Sequence, residues 1–565
     1  MKMGPHSAIL TSKKLLLVTS LCATSLLLQA QSQQTGFSDV TKQVGIDFEY
    51  TFGDKTYDNI MESSGAGISI IDYNQDGFYD IYLLNGTYLE GISDSDGRHN
   101  KGAINKLYRN NGDGTFTDVS RQAKVDNKQW SMAAGVYDYD ADGDQDIYLA
   151  NYGPNVFYRN NGDGTFSEIT HQLGLSGPKT LNGFTKWSVS VVFDDFNKDQ
   201  RIDIMVGNFL AFDPDLQSHP DPTVMPHPGE YLGQASMLYE QLEDGTFADV
   251  TQKAGLWYPN SKCMGLTVFD VDDDGDMDIF QSNDHQPNFL FVKQGLEFKE
   301  NAIAAGVAVN SSGVATGSMH GTVGDINGDG FMDILVTDLK YGSMYQGLGN
   351  GFFKDVSGSS GLATHFKGKG GWAAVLSDFD NDGDLDVFSA NGTAEELILQ
   401  PPLLLENNGT GKFVNSSERW GSYFHENHSG RGAAVLDYDN DGDLDLIISH
   451  VEPGTRARLL ENRVRNNNHW LGVNIVPTTD GASIVGTRVV LSVAGQELHR
   501  IYQPSTGYLS NSDPRIHFGI GSVDTIDQIT VQWPDGKEEI VKNINPDQYI
   551  SIQKGKGIII QNSQY

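Results

Sequence analysis

Seven short segments of this 565-residue chain repeat one arrangement of oxygen-bearing side chains. Each runs nine residues, with Asp at positions 1, 5 and 9, Asp or Asn at position 3, and Gly at position 6 in all but one. The sets are Asp72, Asn74, Asp76 and Asp80; Asp138, Asp140, Asp142 and Asp146; Asp195, Asn197, Asp199 and Asp203; Asp270, Asp272, Asp274 and Asp278; Asp325, Asn327, Asp329 and Asp333; Asp378, Asp380, Asp382 and Asp386; and Asp437, Asp439, Asp441 and Asp445. Hard oxygens two residues apart on a tight loop suit calcium, which takes six to eight such ligands. Positions 1, 3, 5 and 9 are expected to offer side-chain oxygen and position 7 a backbone carbonyl, while Gly at position 6 admits the bend. The closing acid at position 9, between strands, separates these loops from the helix–loop–helix calcium site, which closes at position 12. The third loop carries Gln200 where Gly is expected and is the weakest of the seven. The expectation is up to seven structural Ca²⁺ ions.

Other chemistry is sparse. His425-Glu426-Asn427-His428 is one residue short of the helical zinc signature and reads as a polar loop. Neither a nucleophile elbow nor a phosphate-binding loop is present. Cys263, in Lys262-Cys263-Met264-Gly265, reads as a small buried apolar residue. No catalytic residue is assigned. The chain carries 74 acids against 39 bases, a net charge of −35, which argues against nucleic acid and anionic membranes as partners.

The elements that must position the loops are strands. Small and apolar residues precede each loop (Ala133-Ala134-Gly135-Val136) and a short apolar run follows it (Ile147-Tyr148-Leu149). A second signal follows, as in Leu107-Tyr108-Arg109-Asn110-Asn111-Gly112-Asp113-Gly114-Thr115-Phe116. Asn-Gly and Asp-Gly between apolar runs mark hairpin turns. Strand A, acidic loop, strand B, longer connection, strand C, turn and strand D, repeated seven times, predict an all-β fold: a seven-bladed β-propeller over residues 31–465. The seventh repeat lacks its strand D, and Gly36-Phe37-Ser38-Asp39-Val40-Thr41 near the start matches the missing piece, so the first strand should close the last blade. Two insertions, at about 86–105 and 209–237, fall in B–C connections, opposite the acidic loops. The second carries Asp213, Asp215, His219, Asp221, His227 and Glu230.

Both ends differ from the repeats. Lys13 and Lys14 precede the apolar run Leu15–Leu28, with Ala30 after it, which reads as an export signal over residues 1–30. Its removal takes three lysines and no acid, leaving −38, and leaves Cys263 as the sole cysteine. No later stretch is apolar enough to span a bilayer. Residues 466–565 lack acidic loops and alternate as strands in Trp470–Val476, Arg488–Val493 and Gln528–Trp533, which predicts a small β-sandwich-like domain.

The repeats resemble the FG-GAP/VCBS class, whose loops are similar to the calcium sites of integrin α-subunit propellers. Residues 466–565 resemble the ASPIC/UnbV domain through Asn468-His469-Trp470-Leu471, Gly481-Ala482, Gly507-Tyr508-Leu509-Ser510, His517-Phe518-Gly519-Ile520-Gly521 and Val531-Gln532-Trp533-Pro534-Asp535-Gly536. Together they resemble the cartilage acidic protein family and, without a cysteine-rich EGF-like tail, its bacterial members. The resemblance implies export, calcium binding and an adhesive or matrix role; the expectation is an extracellular, cell-surface or periplasmic monomer that binds a protein or glycan ligand. It implies no catalytic residues. The alternative is a polysaccharide-active enzyme, lyase-like, which would need a base and cationic groups in one cleft.

Overall fold

The computed structural model describes Met1 and residues 36–217, 219, 225–394, 396–478, 481–503 and 505–562. Met1 apart, the expected export signal lies outside the described residues, as does Asp221.

Seven four-stranded antiparallel sheets follow one another along the chain, as the repeat predicts. Blade 2 is typical: Ser131–Tyr137, Asp146–Asn151, Val156–Asn160 and Phe166–Glu168 pair in chain order. The innermost strands neighbour one another in cyclic order, from Ile68–Ile71 of blade 1 round to Gly430–Leu436 of blade 7 and back. The ring therefore closes without one continuous sheet: neighbouring blades join by side-chain packing and by single hydrogen bonds such as Ser69 Oγ to Ala134 O (2.8 Å). Strands converge towards the axis, which explains the small residues of strand A. A Cβ on Gly135 would lie 2.7 Å from Cγ1 of Val191 in the next blade.

The expected closure at the rim is present. Phe37–Asp39 pairs antiparallel with Arg458–Asn462, in the register Phe37 opposite Asn462 and Asp39 opposite Leu460. Phe37 is buried among Phe379, Trp420 and Phe424, with ring centroids 5.4–6.0 Å away. Blade 7 is thus built from both ends of the propeller sequence, and Arg458–Asn462 is covered rather than left as its outer edge.

Residues 466–562 form two further four-stranded sheets, one ordered Ile516–Gly519, Trp470–Val476, Gln548–Gln553, Gly557–Asn562 and the other Gln496–Ile501, Arg488–Val493, Gln528–Gln532, Glu538–Val541. Between them the chain leaves to form a hairpin, Ser505–Gly507 and Ser510–Asn511, that sits on the propeller axis. Ser510–Asn511 extends the sheet of blade 1, parallel to Ile68–Ser69. Its backbone and side chains also bond inner strands of other blades: Asn511 Nδ2 donates to Ala134 O (2.5 Å), Thr322 Oγ1 to Thr506 O (3.2 Å) and Asp513 N to Val435 O (2.9 Å). The axis is therefore filled by chain rather than open, and inner-strand polar groups that would face a void are satisfied.

Tyr508, at the hairpin tip, packs its ring 4.9 Å from Trp372, and Arg431 covers that indole at 3.9 Å. Arg431 is fully buried, donating to Ser63 O (2.7 Å), Thr393 O (3.0 Å) and the Tyr57 hydroxyl (3.1 Å). Close by, Glu62 is buried with Oε2 accepting from the amides of Asp58 (2.8 Å) and Asn59 (3.2 Å), and burial pushes its carboxyl up to about 9. The folded state therefore keeps a proton that the unfolded chain releases above its ordinary value. Stability from this site is lost as pH rises through that window. Glu62→Gln keeps the acceptor and removes the titration. Its melting temperature should gain on the parent's progressively between about pH 5 and pH 9; parallel profiles would refute this.

Candidate metal centres

Each acidic loop is held by its own carboxylates before any metal is considered. In all seven, the position-1 Asp accepts the backbone amides of positions 5 and 6 at 2.7–3.2 Å, as Asp138 does from Asp142 and Gly143. The position-5 Asp caps the amide of position 7 at 2.8–3.0 Å. The position-9 Asp accepts an amide from strand C at 2.7–2.9 Å, which ties the loop to its sheet. Position 4 is left-handed in every loop, through Gln75, Ala141, Lys198, Asp273, Gly328, Asn381 and Asn440, a demand that composition does not reveal.

These constraints turn the side chains inward. In blades 2, 4, 6 and 7, carboxylate oxygens from positions 1, 3 and 9 lie within 4.8 Å of one another: Asp138, Asp140 and Asp146; Asp270, Asp272 and Asp278; Asp378, Asp380 and Asp386; Asp437, Asp439 and Asp445. The position-5 residues Asp142, Asp274, Asp382 and Asp441 fall outside these groups. Burial raises the position-9 carboxyls, Asp146 to about 9 and Asp278 to about 8, with Asp386 and Asp445 also well above the usual range. Oδ1 of Asp272 and of Asp380 is buried with no hydrogen-bond partner. Converging, desolvated carboxylates with orphaned oxygens are a donor set that fits a hard divalent cation.

The loops with Asn at position 3 differ. Asn74 and Asn327 donate Nδ2 to Asp76 (2.7 Å) and Asp329 (2.8 Å), so the amide supports the position-5 acid. In the third loop Gln200 adopts φ +68° in place of Gly, and Arg201 pairs with Asp199. A resident guanidinium there competes with a metal for the position-5 carboxylate. Burial still pushes Asp203 up to about 8 and Asp333 to about 7.

Two features escape the sequence reading. The first Asn of the C–D turn does more than turn the chain: Asn160 Nδ2 donates to Tyr73 O (2.8 Å), in the acidic loop of the preceding blade. Asn407 and Asn462 reach Ile326 and Phe379 in the same way, and Asn110 reaches Tyr438 across the ring closure. Each such blade thus braces its neighbour's candidate site.

Second, the C-terminal sheets lie directly over the acidic-loop face. Tyr549 donates to Asp437 Oδ2 (2.6 Å), and Arg515, paired with Asp513, donates to Asn440 Oδ1 (2.6 Å) and Asp437 O (3.1 Å). Arg500 donates to Gly383 O (3.0 Å), and Arg488 pairs with Asp273 at 3.0 Å. Trp470 lies so close to Gly442 that a Cβ there would stand 1.9 Å from its ring. Three arginines from a nearly neutral domain meet the most acidic surface of the molecule.

The FG-GAP-like repeat family matches residues 72–149, 138–206, 325–389 and 378–448, and the ASPIC and UnbV family matches residues 478–559. The chain carries FG-GAP-like repeats and an ASPIC and UnbV domain. Cartilage acidic protein 1 from Mus musculus is 31% identical over 301 residues, covering 51% of this chain and 44% of that protein. Its counterpart from Homo sapiens is 30% identical over 306 residues, covering 51% and 43%. The chain thus spans less than half the length of the curated relatives it matches. Among solved structures, the extracellular domain of a hybrid two-component system from B. thetaiotaomicron aligns over 94% of this chain and 60% of its own, at 11% identity and a TM-score of 0.40, too low to argue from. The four FG-GAP segments span the acidic loops of blades 1, 2, 3, 5, 6 and 7, and the axial hairpin belongs to the ASPIC and UnbV segment.

His428 lies between Glu426 (3.3 Å) and Glu452 (3.1 Å), in a polar loop as read. Cys263 is buried, with its thiol pushed up to about 12 by burial. Among the described residues no helix is long and apolar enough to cross a membrane.

Proposed function

We propose that this chain is an exported, calcium-stabilised propeller that binds an extracellular ligand, in an adhesive or recognition role, through the face carrying the B–C connections. One observation carries the reading: the C-terminal sheets cover the acidic-loop face, which leaves the opposite face to partners. That face holds the segments that break the repeat, and binding residues concentrate on irregular loops over a rigid scaffold. Calcium is the cation of choice because the donors are all oxygen and the loop is flexible in ligand number, whereas magnesium demands a small octahedral shell. All seven loops are assigned to it, with the third the weakest. Calcium here holds blades in register and takes no part in chemistry.

The test targets the second insertion. Phe209, Leu210, Phe212 and Tyr231 are core residues, so the replaceable stretch is 213–230. Substituting it with a short Gly/Ser turn should abolish binding of at least one ligand that the calcium-loaded protein captures on a glycan and matrix-protein array, leaving its calcium-dependent melt unchanged. Retained binding that is lost only on disrupting residues 466–562 would move the site to the C-terminal sheets.

A further inference from the structure

Five residues after the position-9 aspartate, at the end of strand B or just beyond it, five blades carry an asparagine: Asn85, Asn151, Asn208, Asn283 and Asn391. In each, Nδ2 donates to a carbonyl of the blade's own B–C connection, at 2.7–3.3 Å. Blade 7 has His450 there, and its Nδ1 contacts Arg456 O at 3.0 Å in the same role. Blade 5 alone departs from the rule with Asp338, a side chain that when ionised has nothing to donate. Asp338 is 4% exposed, and its Oδ2 finds no hydrogen-bond partner. The Thr316 hydroxyl and the Lys340 amide bond this carboxylate, so Oδ2 is the oxygen left over, and a buried oxygen without a partner is costly.

Asp338 lines a cavity of about 530 Å³ on the open face, between blades 5 and 6. That is the size range of small-molecule sites, roughly 300–1,000 Å³. Lys340 and Lys369 line the same cavity, with Glu396 as a second acid beside Asp338 and His285 at its edge; neither lysine forms an ion pair among the described residues, in a chain with almost twice as many acids as bases. Val314, Tyr341 and Ile398 add apolar surface. The ligand must therefore offer hydrogen-bond donors on one edge, negative charge on another, and an apolar face between them. A simple cation is opposed by the two lysines, and a compact phosphate by Asp338. A hexuronate meets all three demands, with ring hydroxyls, a carboxylate at C6 and a C–H face.

We propose that this cavity binds a uronic-acid residue of an acidic glycan, with Asp338 accepting ring hydroxyls and Lys340 and Lys369 taking the sugar carboxylate. The assignment rests on the reading that the open face binds ligand, and names the ligand class.

The test is calorimetric titration of the calcium-loaded full chain with trimers of galacturonate and of mannuronate, too short to gel with calcium, and with neutral maltotriose. At least one acidic trimer should bind saturably, at least tenfold tighter than maltotriose. Asp338→Asn, which installs the residue the other blades use, should weaken it tenfold or more. The surface pair Lys340→Ala and Lys369→Ala should do the same, with the calcium-dependent melt unchanged in both variants. Failure of both acidic trimers, equal binding of maltotriose, or full affinity in the variants would overturn the site. If the trimers fail but the array yields a ligand lost on replacing residues 213–230, the broader reading stands without this site; an empty array as well removes both.

Discussion

Chelation with EGTA should lower the melting temperature by at least about 10 °C. Four loops gather three carboxylates within 4.8 Å, and each of the remaining three keeps a buried acid at position 9 and a buried or half-buried one at position 1. An ion that binds only the folded state stabilises by mass action, about 4 kcal/mol for a site at a thousand times its dissociation constant. Several such sites sum to a large part of a typical folding stability of ~5–15 kcal/mol, and each kcal/mol moves the melt of a domain of 150–250 residues by about 2–4 °C. Magnesium at the same concentration should restore far less of the loss. Scanning calorimetry on protein verified free of metal decides the matter, and an unchanged melt would show that the loops are self-sufficient acidic turns.

Deleting residues 31–46 should leave a protein that does not hold the monomeric fold. The segment contributes the outer strand of blade 7 and four buried apolar side chains, Phe37, Val40, Val44 and Ile46. At ~1.5–3 kcal/mol for each, the loss is on the order of the whole stability of an ordinary domain. It also bares the edge Arg458–Asn462, which invites pairing between molecules. Phe37→Ala gives a milder version, expected to cost about 3–5 kcal/mol. Adding a synthetic 31–46 peptide should restore the truncated protein's monomer peak in size-exclusion chromatography. A truncated protein that is already monomeric and melts like the parent would mean that blade 7 stands on three strands.

The seven loops, the blade count and the closure at Phe37 were legible because metal geometry and strand pairing both impose fixed spacings on residue types. The axial hairpin was not. Ser505–Asn511 shows no alternation of strand type, and its partner Ile68 is far away in sequence. The docking of the C-terminal sheets was hidden for a related reason: that region is nearly neutral, so nothing in its composition marks Arg488, Arg500 and Arg515 as the groups that face the loops. Position 4 of the loops was invisible because Gln, Ala, Lys, Asp, Gly and Asn share no side-chain property, and only their common backbone conformation unites them. Asp338 sits in a readable register, but its meaning depends on knowing that the asparagines of five other blades spend their amides on a local carbonyl.

The hairpin on the axis has a consequence for how the chain is made. Ile68 cannot meet Ser510, nor Phe37 meet Asn462, until all the residues between them have been made. At synthesis rates of 5–20 residues per second, the first strand waits roughly 20–85 s for its partner. Throughout that time the ring lacks its latch and its hub, and pairings this distant in sequence are slow to form even afterwards. On the proposed export route the delay is useful: a translocating chain must stay unfolded, and here the two contacts that close the propeller become possible only after its seven blades have been made.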